Sequence, residues 1–129
     1  MRRFLRVLAA GACLSGTLAV IPASAHHLLA GQFDTNRSIT IQGRVTRVEW
    51  SNPHAHFYVQ AQGGSWDFEL GSPNGLLKRG WTSSSLRAGD VVTASGYVSK
   101  DGSHLISTQA VNLADGKPVF TGSAKTAPK

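Results

Sequence analysis

From Ser38 onward, apolar and polar positions alternate with a period of two, the pattern of half-buried strands. Ile39, Ile41 and Val45 fall on one parity, Val48 and Trp50 on the other. A phase change inside one β-rich run predicts a bulge or sharp bend in a long first strand, with Gly43 as the candidate position. Ser51-Asn52-Pro53 is a turn signal. A second strand is expected from His54 to Gln62, with Phe57, Val59 and Ala61 on one face and His54, His56, Tyr58 and Gln60 on the other. Gly63-Gly64 is a hairpin signal, and a third strand follows from Ser65 to Leu70. It points Trp66, Phe68 and Leu70 inward and Asp67 and Glu69 outward.

At Ser72 the period changes. Ser72 stands at an N-cap position, Pro73 at the first helical position, Lys78 and Arg79 in the last turn and Gly80 just after it, which predicts a short helix. Two more strands are expected, Val91 to Ser99 and His104 to Leu113, around a turn at Lys100-Asp101-Gly102-Ser103. After a further turn at Ala114-Asp115-Gly116, Pro118 to Phe120 adds a short edge strand. Three strands, a helix and two strands give an all-β fold with one short helix. The architecture expected is a small five- to six-stranded OB-like Greek-key barrel, with an SH3-like barrel as the alternative. Its core is expected from Ile41, Val45, Val48, Phe57, Val59, Trp66, Phe68, Leu77, Val92, Ala94, Val98, Ile106 and Val111. The barrel occupies residues 38–120, after a leader at 26–37 and before a flexible tail at 121–129.

The segment ahead of the leader has another character. Arg2, Arg3 and Arg6 precede an apolar run from Val7 to Ile21, which ends at Pro22-Ala23-Ser24-Ala25. A basic start, an apolar stretch and an Ala-x-Ala site make a secretory signal peptide over residues 1–25, cleaved after Ala25. The run falls short of the roughly 20 apolar residues of a membrane span, so no span is expected after cleavage. Ala10-Gly11-Ala12 lacks the Leu that normally precedes a lipidated Cys, so Cys13 leaves with the signal. Composition changes meaning at this cut. The whole chain has 129 residues, 13 basic against 7 acidic, and a formal charge of +6, which by itself suggests a polyanionic partner. Without residues 1–25 it has 104 residues, ten basic against seven acidic, or +3. The expected location is the periplasm or the medium, where nucleic acid is not an expected partner. The single Cys excludes an intramolecular disulfide and a Cys-rich zinc site.

Three stretches carry a family resemblance: Ala25-His26-His27, the run Val45-Thr46-Arg47-Val48-Glu49-Trp50-Ser51-Asn52-Pro53-His54-Ala55, and the run from Phe68 through Ser72-Pro73-Asn74-Gly75 to Trp81. Together they resemble the DUF6152 family of short exported bacterial proteins. The resemblance extends over nearly all of the chain after Ala25. It implies a periplasmic or secreted β-rich protein and supplies no activity.

Histidine is the one residue type with a chemical pattern. Four of five lie in two close pairs, His26-His27 and His54-Ala55-His56. Cleavage after Ala25 makes His26 the first residue, whose α-amine and Nδ1 together chelate one metal ion. Nitrogen donors in tetragonal geometry suit Cu(II), with zinc as the alternative. His54 and His56 are two apart and share a strand face, so a folded-back terminus would bring three or four nitrogens together. The leading expectation is a metal ion, most of all Cu(II), held by His26, His27, His54 and His56. The plainer alternative is an unstructured start followed by structural strand histidines. His104 is expected to be solvent-exposed. A second expectation is a metal-free envelope interaction module that binds a small or anionic ligand or a protein on an aromatic and basic face of Arg47, Trp50, Asn52, Tyr58 and Trp81. Its alternative has Trp50 and Trp81 closing the barrel ends. No Gly-x-Ser-x-Gly, phosphate loop or His-Glu-x-x-His motif occurs, so no enzyme is expected. His56 with Asp67 or Glu69 resembles a base and its orienting carboxylate, without a nucleophile.

Overall fold

The computed structural model describes residues 29–121. The readings of residues 1–25 as a signal, of His26 and His27 as ligands and of the tail beyond Thr121 lie outside them. The elements are β1 (Phe33–Glu49), β2 (His56–Ala61), β3 (Gly64–Glu69), α1 (Pro73–Lys78), β4 (Val91–Ser99), β5 (Leu105–Leu113) and β6 (Pro118–Thr121). The strands form one sheet in the order β3-β2-β1-β4-β5-β6, antiparallel throughout this order. A parallel pairing of β3 with β5 closes the sheet into a barrel-like ring, β1-β2-β3-β5-β4. With α1 between β3 and β4, this is the expected OB order.

The length of β1 comes from its change of partner. Phe33 to Arg44 pair with β4, and Arg44 to Glu49 pair with β2. The phase change is a bulge: Val45 pairs with Val59 and Arg47 with Tyr58, which leaves Thr46 as the extra residue. It lies just past Gly43, the position expected for it. Gly43 has a different duty, because a Cβ there would stand 2.3 Å from the Gln60 carbonyl oxygen, where β2 crosses β1. β1 also starts at Phe33 instead of Ser38. Phe33 is buried and pairs with Ser99, but the register then slips before Ser38. Inside the slip the Asn36 amide donates to Asp34 Oδ1 at 3.0 Å, a local turn that interrupts the alternation and hides the strand start from a pattern reading.

The hairpin between β2 and β3 has Gly63 and Gly64 at φ +96° and +124°, conformations that favour glycine. Ser72 caps α1 by accepting from the Gly75 amide at 3.2 Å, and Gly80 follows the helix at φ +84°. The core centres on Val45, Phe57, Val59, Phe68, Val92, Ala94, Ile106 and Val111, all buried. Ile41, Val48 and Trp66, expected in it, pack on its margin. Leu77 does not belong to it: Leu77 is 51% exposed and Leu76 is 2%. Successive helical side chains point about 100° apart, so a single-turn helix presents only one of the two to the core. Trp81, Leu86 and Phe120 complete the core beneath α1, with Trp81 edge-on to Phe120 at 5.0 Å.

Candidate functional site

The outer face of β1, β2 and β3 gathers most of the chain's remaining chemistry. The register sets Glu49 beside His56, His56 beside Glu69, and Tyr58 between Arg47 and Asp67. Contacts across the hairpin run diagonally. His56 Nδ1 lies 2.7 Å from Asp67 Oδ1, and His54 Nδ1 lies 3.0 Å from Glu69 Oε1. An ionised carboxylate only accepts, so in both pairs Nδ1 carries the hydrogen and donates it. Nε2 is therefore the nitrogen left to meet a ligand. His54 stands just before β2, on a segment held to β3 by bonds from the Ala55 amide to the Gly71 carbonyl and from the Leu70 amide to the Ala55 carbonyl. The Asn52–Pro53 peptide bond before it is cis.

Beside the histidines, Tyr58 donates its hydroxyl hydrogen to Glu49 Oε2 at 3.1 Å, and Arg47 pairs with Glu49 Oε1 at 3.1 Å. The Arg47 guanidinium also covers the Tyr58 ring at 4.2 Å. With Glu49, Asp67 and Glu69 against Arg47 and, opposite Gln60 at the far end, Arg44, the face keeps a small acidic excess although the whole chain is basic. That charge suits a cation and opposes a polyanion.

Burial, the Asp67 charge and the hydrogen bond to Glu49 raise the Tyr58 phenol above its usual value of 10.0, with Arg47 in partial opposition. A raised acid favours its neutral form in the folded state. Its stabilisation is complete below the unfolded value and is lost as pH rises through the folded one. Alkaline denaturation followed by circular dichroism is expected to show a loss of stability above about pH 10 that Tyr58→Phe reduces. An unchanged alkaline profile in Tyr58→Phe would contradict this environment.

The expected site residues separate. His54, His56, Tyr58 and Arg47 share the face; His26 and His27 lie outside the described residues. Among the described residues, no group of three or more His, Cys, Asp or Glu is placed to hold a metal ion. Trp50 is half-buried at the core margin, and Asn52 is exposed in the loop before His54. Trp81 is a correction: only 6% exposed and packed on Phe120, it is part of the core and not of a ligand face. Exposed His104 lies flat on Trp66, ring centroids 3.9 Å apart, with Nδ1 3.2 Å from the Ser65 carbonyl. Of the two carboxylates expected beside His56, Asp67 holds it, and Glu69 holds His54. The register that brings them together follows from a two-residue loop at Gln62-Gly63, with Ala61 opposite Gly64; a loop at Gly63-Gly64, as the sequence suggests, would instead set Gln60 opposite Asp67.

Ring order, capped helix and acidic histidine face define a small all-β protein of OB-like topology. A family model described as a family of unknown function (DUF6152) matches residues 15–107, and the chain belongs to that family. The match includes all five histidines. Among curated proteins, none matches in sequence. The chain is also similar to part of TiaS, a tRNA agmatidine synthetase. In its complex with an isoleucine tRNA and ATP, identity is 26%, covering 63% of this chain and 19% of that one, with a TM-score of 0.46. For the apo protein the values are 23%, 64%, 19% and 0.46. A ZRD-deleted mutant in complex with agmatine gives 22%, 74%, 24% and 0.46. The chain thus spans less than a quarter of the length of these proteins, and a likeness of this size bears on no activity. No helix among the described residues is long and apolar enough to cross a membrane.

Proposed function

We propose that this is an exported, non-enzymatic β-barrel protein of the periplasm or medium that binds a metal ion, foremost Cu(II), through His26, His27, His54 and His56. The observation that carries the reading is the pair of bonds from His54 Nδ1 to Glu69 and from His56 Nδ1 to Asp67. Metal-ligating histidines almost always give their second ring N–H to a carboxylate, carbonyl or water, which fixes the tautomer and makes the free nitrogen a better donor. Two imidazoles alone make a weak site. The α-amine and ring of a first-residue His26, with His27, supply the further nitrogens that Cu(II) favours. The acidic face supports a cationic ligand. A metal-free envelope interaction module is the second reading, favoured by the Arg47–Tyr58 stack. Both groups of that stack already satisfy each other and Glu49.

The test is calorimetric titration with Cu(II) of protein beginning at His26. One ion per chain is expected, bound more tightly than micromolar. Asp67→Asn keeps the shape but removes the acceptor's charge, and is expected to weaken binding about 10- to 100-fold, the usual effect of losing a ligand's supporting partner. His54→Ala and His56→Ala are each expected to weaken it at least as much. Micromolar or weaker binding that ignores both alanines would sink the proposal.

A further inference from the structure

The middle of β1 has one strand neighbour where the rest of it has another. Ser38 to Gly43 pair with β4 on one side. On the other side β2 reaches Arg44 with Gln60, and the Gln60 carbonyl crowds Gly43. Among the described residues, Ser38–Gln42 therefore presents a row of unpaired backbone amides and carbonyls. Edges of this kind are normally protected by Lys, Pro or an inward-pointing charge, and the five residues contain none of these. Its ends are marked. The register slip before Ser38 bounds one, and the crossing of β2 at Gly43 bounds the other. Five residues at about 3.3 Å each leave a gap of roughly 17 Å.

We propose that this gap takes up an extended segment of a partner protein as an added strand, apolar alongside Ile39 and Ile41 and carrying a carboxylate at each end, near Arg37 and Arg44. The apolar requirement comes from Ile39 and Ile41, which pack against the core yet remain partly exposed, while Thr40 and Gln42 on the opposite face are exposed. Directly opposed residues in an antiparallel ladder point to the same face. The acidic requirement comes from the exposed arginines that flank the gap. Arg44 gives Nη1 to the Gly89 carbonyl at 2.7 Å, and a guanidinium has further donors for a carboxylate. The same arginines oppose self-pairing. Full antiparallel overlap of two copies over Ser38–Gln42 would set Arg37 of each copy opposite Gly43 of the other, next to its Arg44.

The probe is a fluorescent heptapeptide, Glu-Thr-Val-Thr-Val-Thr-Glu, blocked at both ends and titrated with the protein by anisotropy, with amide NMR shifts read over residues 38–42. Saturable binding is expected, with the largest shifts in that stretch. Replacing both Glu by Lys is expected to weaken it about tenfold, and Arg37→Glu is expected to reverse the preference. N-methylation of the peptide tests the ladder without touching the protein's fold. Alternate N–H groups of a strand point to opposite sides, so methylating positions 2, 4 and 6 and methylating positions 3 and 5 are expected to differ by about tenfold or more. Equal effects of the two methylated sets, no binding of the Glu-ended peptide at millimolar concentration, or a concentration-dependent dimer in sedimentation with no peptide binding would each overturn the proposal. None of these readouts involves a metal, so they stand apart from the copper titration.

Discussion

Phe57→Ala is expected to remove about 3–5 kcal/mol of stability in urea denaturation. Domains of this kind have roughly 5–15 kcal/mol in total, so the variant is expected to populate unfolded protein near body temperature. The reason lies in the ring closure. Phe57 and Phe68 stand directly opposite on β2 and β3, their rings stack at 4.8 Å and 12°, and both are 0% exposed. Ile106, also 0% exposed, pairs with Phe68 across the parallel β3–β5 contact that completes the ring. Truncating Phe57 therefore opens a cavity where three strands meet, and a closed ring relaxes poorly into such a space. Leu77→Ala serves as the control. Half of that side chain is already in water, so its cost is expected to stay within about 0.5 kcal/mol. A Phe57→Ala cost below that of Leu77→Ala would mean that the ring does not depend on this contact.

The same residues show what the sequence makes legible. Alternation places Val45, Phe57, Val59 and Phe68 in the core, because a strand with one wet face writes its burial directly into its pattern; Ile106 and Val111 fall on opposite parities of β5, and a bulge at Gln109 buries both. Cap chemistry is equally direct at Ser72-Pro73, whereas Gly63-Gly64 marks the hairpin but its loop is Gln62-Gly63, one residue earlier, with Gly64 already paired to Ala61. The strand start at Phe33 is not legible, since the slip between Phe33 and Ser38 interrupts the period. Nor is the choice between Leu76 and Leu77, because one helical turn is too short for its periodicity to decide which side is buried. Trp81 misleads for a related reason. It follows the helix, outside any periodic stretch, and its burial depends on Phe120, almost forty residues away.

The candidate site divides along the same line. That His54 and His56 share a face follows from their spacing. Their carboxylate partners depend on the hairpin register, which brings together residues eleven and fifteen positions apart. The acidic character of the face is hidden in a basic chain, because the arginines are spread along it while Glu49, Asp67 and Glu69 converge on one face.

Adding one Met before His26 is expected to weaken Cu(II) binding by at least about 100-fold. Loss of a mere supporting partner costs about 10- to 100-fold, and here a coordinating chelate is broken. The α-amine becomes an amide, which no longer offers its lone pair, and the five-atom link from amine to Nδ1 loses one end. The strand histidines remain intact, so the protein still folds and residual weak binding is expected. Combining the extension with His54→Ala sharpens the test. If terminus and strand share one ion, the two changes are strongly non-additive, and His54→Ala has little further effect once the amine is blocked. If the two histidine pairs bind metal independently, the effects on their separate sites persist in the double variant. Calorimetry on the four forms distinguishes these outcomes, and full additivity would disprove a shared site.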